Sequence, residues 1–371
     1  MAALKPNSKT RIAIIGTGGI AGAHVTSYLR MDNDVEIIGG ADIVEGKARK
    51  FLDTFNLKTA KDFNSAVKML DALKPDAVSV CTYNSSHAEC AVAALEHGCD
   101  VLLEKPMTVT LDEALAIRRA EKKSGKILSI GFQPRYDLRM KKIKEVIQSG
   151  ALGKIYYVQT GGGRFRGIPG GTFIEKRYAG VGALADIGCY SLDMALNAIG
   201  YPRPLTVSAA TYNYFGTNPA YNTPEDAARF SVDDFCGAFI RLEGGISLDF
   251  RMSWAMHMDS TGATIFLGTE GGLKVEPAGP GHPWGGAWDG SCGPVTLFHD
   301  YLGTPTHTPI PLNTPTEDNF YLKCRSFVDA VRQRLPAPVP SDEIIYNQAI
   351  IDGIIRSAAC GHEVSVEFEE G

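Results

Sequence analysis

A glycine turn, an aspartate and a lysine, each at the end of a short apolar run, carry the first chemical signal in this sequence. Ile12 to Ile15 leads into Gly16-Thr17-Gly18-Gly19-Ile20-Ala21, a GxGxxA pattern that opens a segment of helical character. Gly16 permits a tight turn, Gly18 lets backbone amides approach a pyrophosphate, and Ala21 or Gly22 allows the helix to pack closely. Gly16, Gly18, Gly19 and Ile20 are therefore the expected contacts to a dinucleotide, with a purely structural glycine turn as the plainer alternative. Asp42 follows the next apolar run, Val35 to Gly40, about 20 residues beyond the glycine turn, where a carboxylate binds ribose hydroxyls and repels a 2′-phosphate. NAD is expected over NADP on that ground, although Lys47 and Arg49 stand nearby; otherwise Asp42 caps the following helix. Lys105, in Glu104-Lys105-Pro106, follows Val101 to Leu103 at the carboxyl end of a parallel strand, where open α/β sheets place their ligands. An ammonium there can donate to a hydroxyl or carbonyl and can be tuned toward proton transfer, whereas most lysines are solvated surface charges.

These groups need a framework, and the apolar pattern supplies one. Ile12 to Ile15, Val35 to Ile38, Ala77 to Cys81, Val101 to Leu103 and Ile127 to Ile130 alternate with helical segments, which predicts a parallel sheet with crossover helices. Beyond Gly153 the texture changes to period-two runs: Ile155 to Thr160, Leu205 to Tyr212, Phe235 to Leu242, Ile246 to Met252 and Thr264 to Leu267. The expected architecture is an α/β Rossmann domain over residues 1–133, then an α+β domain over 134–371 with an open, mostly antiparallel sheet. Residues 276–315, rich in Gly, Pro and Thr and containing Trp284 and Trp288, read as a long irregular excursion that either packs structurally or contacts an aglycone. Glu343 to Ala359 has helical spacing with Gly361 as its stop.

The combination of GTGGIA, TYNSSH at Thr82 to His87, and EKP at Glu104 to Pro106 resembles the Gfo/Idh/MocA oxidoreductases over essentially the whole chain. That resemblance implies a catalytic Lys105, often followed by a cis-proline, and a second-domain helix bearing D-x-G-x-H-x-x-D. The matching run is Asp186-Ile187-Gly188-Cys189-Tyr190-Ser191-Leu192-Asp193, with Tyr190 where many members carry the acid/base histidine. Tyrosine stands there in a minority of the family, so Tyr190 is the expected acid/base group, and its phenol, ordinarily titrating near pH ~10, needs a neighbouring cation such as Lys105. On an ideal helix Asp186, Tyr190 and Asp193 share one face, with Asp186 orienting substrate; Asp186 as a helix cap is the competing reading. The resemblance further places Thr82, Asn84, His87 and Glu104 near the cofactor. Gln133 and Arg135 lie where the chain passes between domains, and Arg164 and Arg166, then Lys176 and Tyr178, supply donors and an aromatic suited to a hydroxyl-rich ligand. Plainer readings are a helix-start histidine for His87 and salt-bridged structural arginines.

The formal net charge of −5 argues against nucleic acid, which selects basic surfaces. No stretch approaches the roughly 20 apolar residues of a membrane span, and Met1 to Thr10 is polar, so a soluble cytoplasmic protein is expected. Eight scattered cysteines without a CxxC pair favour free thiols and no metal. The activity the resemblance implies is NAD-dependent oxidation of a sugar or glycoside hydroxyl, favoured at C3 of a glucoside because the Arg166-Gly167-Ile168-Pro169 segment and the glycine-rich approach to Asp186 resemble members that oxidise that hydroxyl, in a homo-oligomer (dimer or tetramer). Alternatives are inositol or aldose dehydrogenation, glycoside cleavage with NAD recycled in place, or an NAD-binding regulator.

Overall fold

The computed structural model describes residues 8–278, 291–313 and 317–368. Two compact units emerge: one runs through Phe132 and includes Glu317–Ile345, and the other comprises Gln133–Thr316 with Tyr346–Glu369.

The first unit is a Rossmann sheet. Strands β1 (Thr10–Ile15), β2 (Val35–Ala41), β3 (Lys61–Phe63), β4 (Ala77–Val80), β5 (Asp100–Leu103) and β6 (Leu128–Ile130) pair in parallel in the order β3-β2-β1-β4-β5-β6. Helices α1 (Gly19–Leu29), α2 (Lys47–Thr54), α3 (Ala66–Leu73), α4 (His87–Glu96) and α5 (Leu111–Ser124) make the crossovers. The α5 sequence announces its own ends: Thr110 and Glu113 form a reciprocal capping box, and Gly125 at φ 63° terminates the helix. Every residue of β4 and β5 is buried, as expected of strands covered on both faces.

The single boundary expected after residue 133 gives way to a return of the chain. A helix over Asn319–Gln333 (α10) belongs with the first unit, because Cys324, Phe327, Val328 and Val331, spaced i, i+3, i+4 and i+7, join a buried cluster with Val25 and Tyr28 of α1. Lys323 lies on that buried face and ion-pairs with Glu104 Oε1, which also sits 2.8 Å from His24 Nε2; the three side chains are almost wholly buried. Burial opposes ionisation of Glu104, yet Lys323 and His24 outweigh it and hold the carboxyl well below its ordinary range.

The second unit carries strands β7 (Ile155–Gly163), β8 (Pro204–Tyr212), β9 (Phe235–Leu242), β10 (Ile246–Ser253), β11 (Thr264–Gly268), β12 (Gly271–Val275), β13 (Val295–Tyr301), β14 (Thr304–Ile310) and β15 (Val364–Ser365). Their order is β14-β13-β12-β11-β7-β10-β9-β8-β15, antiparallel except for the β7–β10 pair. Its helices are α6 (Leu138–Gln148), α7 (Lys176–Ala179), α8 (Cys189–Ala198) and α9 (Pro224–Arg229), together with most of α11 (Ser341–Cys360), which stops before Gly361 at φ 76°. The excursion expected over 276–315 is not irregular throughout. Residues 295–310 form the β13–β14 hairpin, turning at Leu302 and Gly303, whose φ values of 50° and 76° match the twist such a hairpin needs. Trp284 and Trp288 lie outside the described residues.

Two adjacent aspartates organise this unit. Asp233 accepts from the backbone N–H groups of Gly182 (2.6 Å) and Leu184 (2.9 Å), and a Cβ on Gly182 would lie 1.9 Å from the Asp233 carbonyl oxygen, so only glycine allows this approach. Asp234 Oδ2 accepts from Phe215 and Gly216, while its other oxygen, Oδ1, has no hydrogen-bond partner among the described residues. Burial pushes the Asp234 carboxyl up to about 6, against the pull of those two N–H donors.

Two stability tests follow from these buried charges. Replacing Lys323 by Met leaves Glu104 with His24 alone and should lower the unfolding free energy in urea by about 3–5 kcal/mol, with much of the loss recovered in the Glu104→Gln/Lys323→Met double variant. An unchanged midpoint in the single variant contradicts the paired assignment. For Asp234 the folded pKa lies above the unfolded one, so the protonated form is the one folding favours. Wild-type stability should therefore fall as pH rises from the unfolded value through about 6. Asp234→Asn should remove about 1–3 kcal/mol of that slope between pH ~4.5 and ~7, read as the difference between the two unfolding curves; parallel curves would exclude it.

Candidate active site

In the first unit β1 ends at Ile15 and the chain turns through Gly16 at φ 85°, where a Cβ would meet the Cys81 backbone at 2.7 Å. Gly18 and Gly19 are different: a Cβ on either would meet nothing within 4 Å. They leave an open cradle where α1 starts, with no side-chain cap at Gly18 and no acidic residue in the first turn to repel an anion. Ala21 is fully buried in the packing of α1, and Ile20 is half-buried beside the cradle. Asp42, just past β2, accepts from the N–H (3.0 Å) and hydroxyl (2.8 Å) of Thr17, the Val44 N–H (3.0 Å) and Lys47 Nζ (2.9 Å). Burial works against its charge, but these donors prevail and lower its pKa, so a carboxylate stands ready beside the glycine turn. Arg49 is turned away, bonded to the carbonyls of Ala60 and Leu57. The set fits the pyrophosphate and ribose of a dinucleotide.

Thr82 and Asn84 lie half-buried in the turn after β4. His87 is buried at the start of α4 with Nδ1 2.8 Å from the Pro106 carbonyl, a place from which it supports the loop holding Lys105. Burial lowers its pKa, which keeps the imidazole neutral. Glu104, expected to contact cofactor, is instead committed inside the unit to Lys323 and His24, because a carboxylate at that depth requires cations. The next residue, Lys105, is half-buried, and the Lys105–Pro106 peptide is cis.

The second unit holds the other candidates. The Asp186 motif is not one continuous α-helix: Leu184–Gly188 is a π-helical turn and α8 begins at Cys189, so Asp186 does not lie on an ideal i, i+4 face with Tyr190. Nor does Asp186 cap the helix. Its Oδ2 accepts from Trp254 Nε1 at 3.0 Å, and its charge acts on the guanidinium of Arg164, which burial pushes down to about 10 while Asp186 pulls it back up. Arg164 also donates from Nη1 to the Gly167 carbonyl at 2.6 Å. The Tyr190 hydroxyl, buried on α8, lies 2.8 Å from Nε2 and 3.1 Å from Oε1 of the buried Gln133 amide. Arg135, expected among the substrate donors, forms a bidentate pair with the fully buried Asp193 and also bonds Tyr201. That pair anchors α8 from below Tyr190 and accounts for Arg135 as support. Tyr178, on the short α7, is half-buried with the Arg177 guanidinium 4.6 Å from its ring.

Sequence reasoning missed Asp233, Trp254, His24 and Lys323. Each left a signal: adjacent acids amid apolar neighbours in Val232-Asp233-Asp234-Phe235, an indole directly after β10, and charged or polar residues on the apolar stripes of α1 and α10.

Comparison with known proteins identifies both domains. A model of the NAD-binding Rossmann domain of the Gfo/Idh/MocA oxidoreductases matches residues 10–132, and one of the family's C-terminal domain matches residues 140–274. The D-glucoside 3-dehydrogenase of Escherichia coli (strain K12) is 33% identical over 275 residues, covering 70% of this chain and 78% of that protein. A scyllo-inositol 2-dehydrogenase (NAD(+)) of Bacillus subtilis (strain 168) is 28% identical over 268 residues, covering 72% and 74% respectively. Among solved structures, levoglucosan dehydrogenase in complex with NADH superposes with a TM-score of 0.79 at 20% identity over 97% of this chain and 100% of the other. With both domain models matched, the chain belongs to the Gfo/Idh/MocA family of oxidoreductases and takes NAD as its cofactor.

Proposed function

We propose that this protein oxidises a secondary hydroxyl of a sugar or glycoside, with C3 of a glucoside as the favoured position. The observation that carries the reading is the Tyr190–Gln133 pair: a buried phenol whose oxygen lies within 2.8 Å of an amide N–H donor. A phenol in that setting can give up a proton to become the base for a substrate hydroxyl, because hydrogen bonding from the amide stabilises the phenolate. NAD, when bound, supplies the nicotinamide that accepts the hydride. Tyr190 takes the hydroxyl proton, and the Lys105 ammonium donates to the substrate oxygen. Asp186, held by Trp254, accepts from a neighbouring sugar hydroxyl, and Arg164 offsets its charge. A site that hydrogen-bonds several hydroxyls rejects analogues lacking them, which suits a pyranose. The glucoside preference is supported by the similarity to a D-glucoside 3-dehydrogenase. Inositols stand second, supported by the similarity to a scyllo-inositol 2-dehydrogenase. The redox-neutral alternative, cleavage of the glycosidic bond after transient C3 oxidation, differs in leaving no NADH behind. We further propose a homo-oligomer and a cytoplasmic location; among the described residues no helix is long and apolar enough to cross a membrane.

Three outcomes are expected. A panel of glucosides, inositols and aldoses should give stoichiometric NADH with glucosides; turnover confined to inositols or aldoses would displace the glucoside assignment. Lys105→Ala and Tyr190→Phe should each lower kcat by about 10²-fold or more while leaving the NAD dissociation constant nearly unchanged; wild-type turnover in either refutes its role. Gln133→Leu removes the donor to the phenolate, so the limb of the kcat/KM profile that reports loss of the base's proton should move up by about one pH unit. An unmoved limb would show that Gln133 does not tune Tyr190.

A further inference from the structure

Lysine is seldom buried, because its ammonium loses hydration that only a counter-charge replaces. Lys323 is nevertheless 1% exposed, on the buried face of α10, with Nζ paired to Oε1 of Glu104 and 3.2 Å from His24 Nε2. His24 Nε2 lies 2.8 Å from the same carboxylate oxygen, and its Nδ1 lies 3.1 Å from Ser79 Oγ, itself 2.7 Å from the Tyr28 hydroxyl. Gly131 leaves room for the group, since a Cβ there would stand 2.9 Å from Glu104 Oε1. Burial works against the charge on Glu104, and Lys323 is the foremost of the forces that keep it ionised, followed by His24. Stability alone does not account for so costly a cluster, because apolar side chains of similar volume in place of a buried ion pair are often as stable or more so. What apolar residues do not provide is the second carboxylate oxygen. Glu104 Oε2 accepts from the backbone N–H of Lys105 at 3.3 Å, and on the other side of Lys105 the Pro106 carbonyl accepts from His87 Nδ1 at 2.8 Å. An ionised carboxylate is planar and accepts on both oxygens, so the groups that hold Oε1 also fix where Oε2 stands.

We propose that Lys323 is a positioning residue for Lys105: held on Oε1 by Lys323 and His24, the Glu104 carboxylate keeps Oε2 on the Lys105 N–H and so sets where that ammonium stands. The proposal rests on the reading of Lys105 as the donor to the substrate oxygen. It gives α10, the helix that returns to the first unit late in the chain, a part in the chemistry of a loop that follows β5. Loss of Lys323 leaves Glu104 buried with His24 alone. The carboxyl then takes up a proton or turns, and the Lys105 backbone loses its acceptor. A displacement of about 1 Å in a group that must meet a reacting atom costs about 10²-fold in rate.

Two variants of the full-length protein separate positioning from stability. Lys323→Gln keeps a hydrogen-bond donor but not the charge, and Glu104→Met/Lys323→Met replaces both partners by unbranched apolar chains. Turnover is followed as NADH formation with methyl glucoside, or with the inositol or aldose that displaces it in the panel above. The kcat should fall by about threefold or more in the first variant and about tenfold or more in the second, with the NAD+ dissociation constant within about twofold of wild type. In the Lys105→Ala background the same changes should lower kcat by no more than about twofold, because a residue that acts through another adds nothing once that other is gone. Their urea midpoints should shift alike in both backgrounds. With no sugar present, hydrogen exchange localised to the Lys105 amide should quicken in Lys323→Gln. Equal kcat losses with and without Lys105, a double variant that turns over like wild type, or unmoved exchange at Lys105 each overturn the proposal; should the double variant not fold, Lys323→Gln decides. Full turnover in Lys105→Ala together with quickened exchange overturns the reading of Lys105 instead, and the positioning role falls with it.

Discussion

Taking a carboxylate out of water costs several kcal/mol unless donors and cations meet it, and this chain buries Asp42 and Glu104 in its first unit and Asp193 and Asp233 in its second. Glu104 is met by Lys323 and His24, which joins the end of β5 to α1 and α10 immediately before Lys105. Asp42 is met by Thr17, Val44 and Lys47, which fixes this carboxylate beside the glycine turn. The chemistry-bearing residues thus take their positions from neighbours whose electrostatic demands leave little freedom.

The same requirement shapes the second unit. Asp193 pairs with Arg135 and Tyr201, which pins α8 one turn beyond Tyr190. Asp233 binds the amides of Gly182 and Leu184, so the backbone enters the π-helical turn in one conformation and Asp186 emerges where Trp254 can donate to it. π-Helical turns recur at functional sites because the added residue re-aims the side chains around it. Here the turn separates the phase of Asp186 from that of Tyr190, which a regular helix would have kept on one face.

Much of the fold was legible in the sequence. Apolar runs separated by helical segments marked five of the six parallel strands, and period-two runs marked β7 through β11. The missed β3 is three residues long with no buried position, so it has no apolar signature. The β13–β14 hairpin was hidden because Pro305, Pro309 and a string of threonines read as loop, although prolines are tolerated on an edge strand such as β14. The return of α10 was written in its stripe at 324, 327, 328 and 331, yet which unit a stripe packs against is a tertiary fact. For the proposed site, the glycine turn, Asp42 and Lys105 stand out by type and place in the sequence, and Tyr190 through the resemblance of its motif to the family's. The partners that hold them are not. Glu104 and Lys323 are 219 residues apart, and Arg135 and Asp193 are 58 apart, so no local pattern could reveal that Glu104 and Arg135 are committed to support.

The central chemical claim is that a hydride leaves one carbinol carbon of a glucoside while Tyr190 removes the proton of its hydroxyl. Its most direct test is isotopic: methyl glucoside deuterated at C3 is turned over with NAD+, and the nicotinamide of the product is examined by NMR. The account predicts one deuterium at C4 of the reduced nicotinamide, delivered to a single face, together with a 3-keto sugar. Reduced nicotinamide free of deuterium would contradict it.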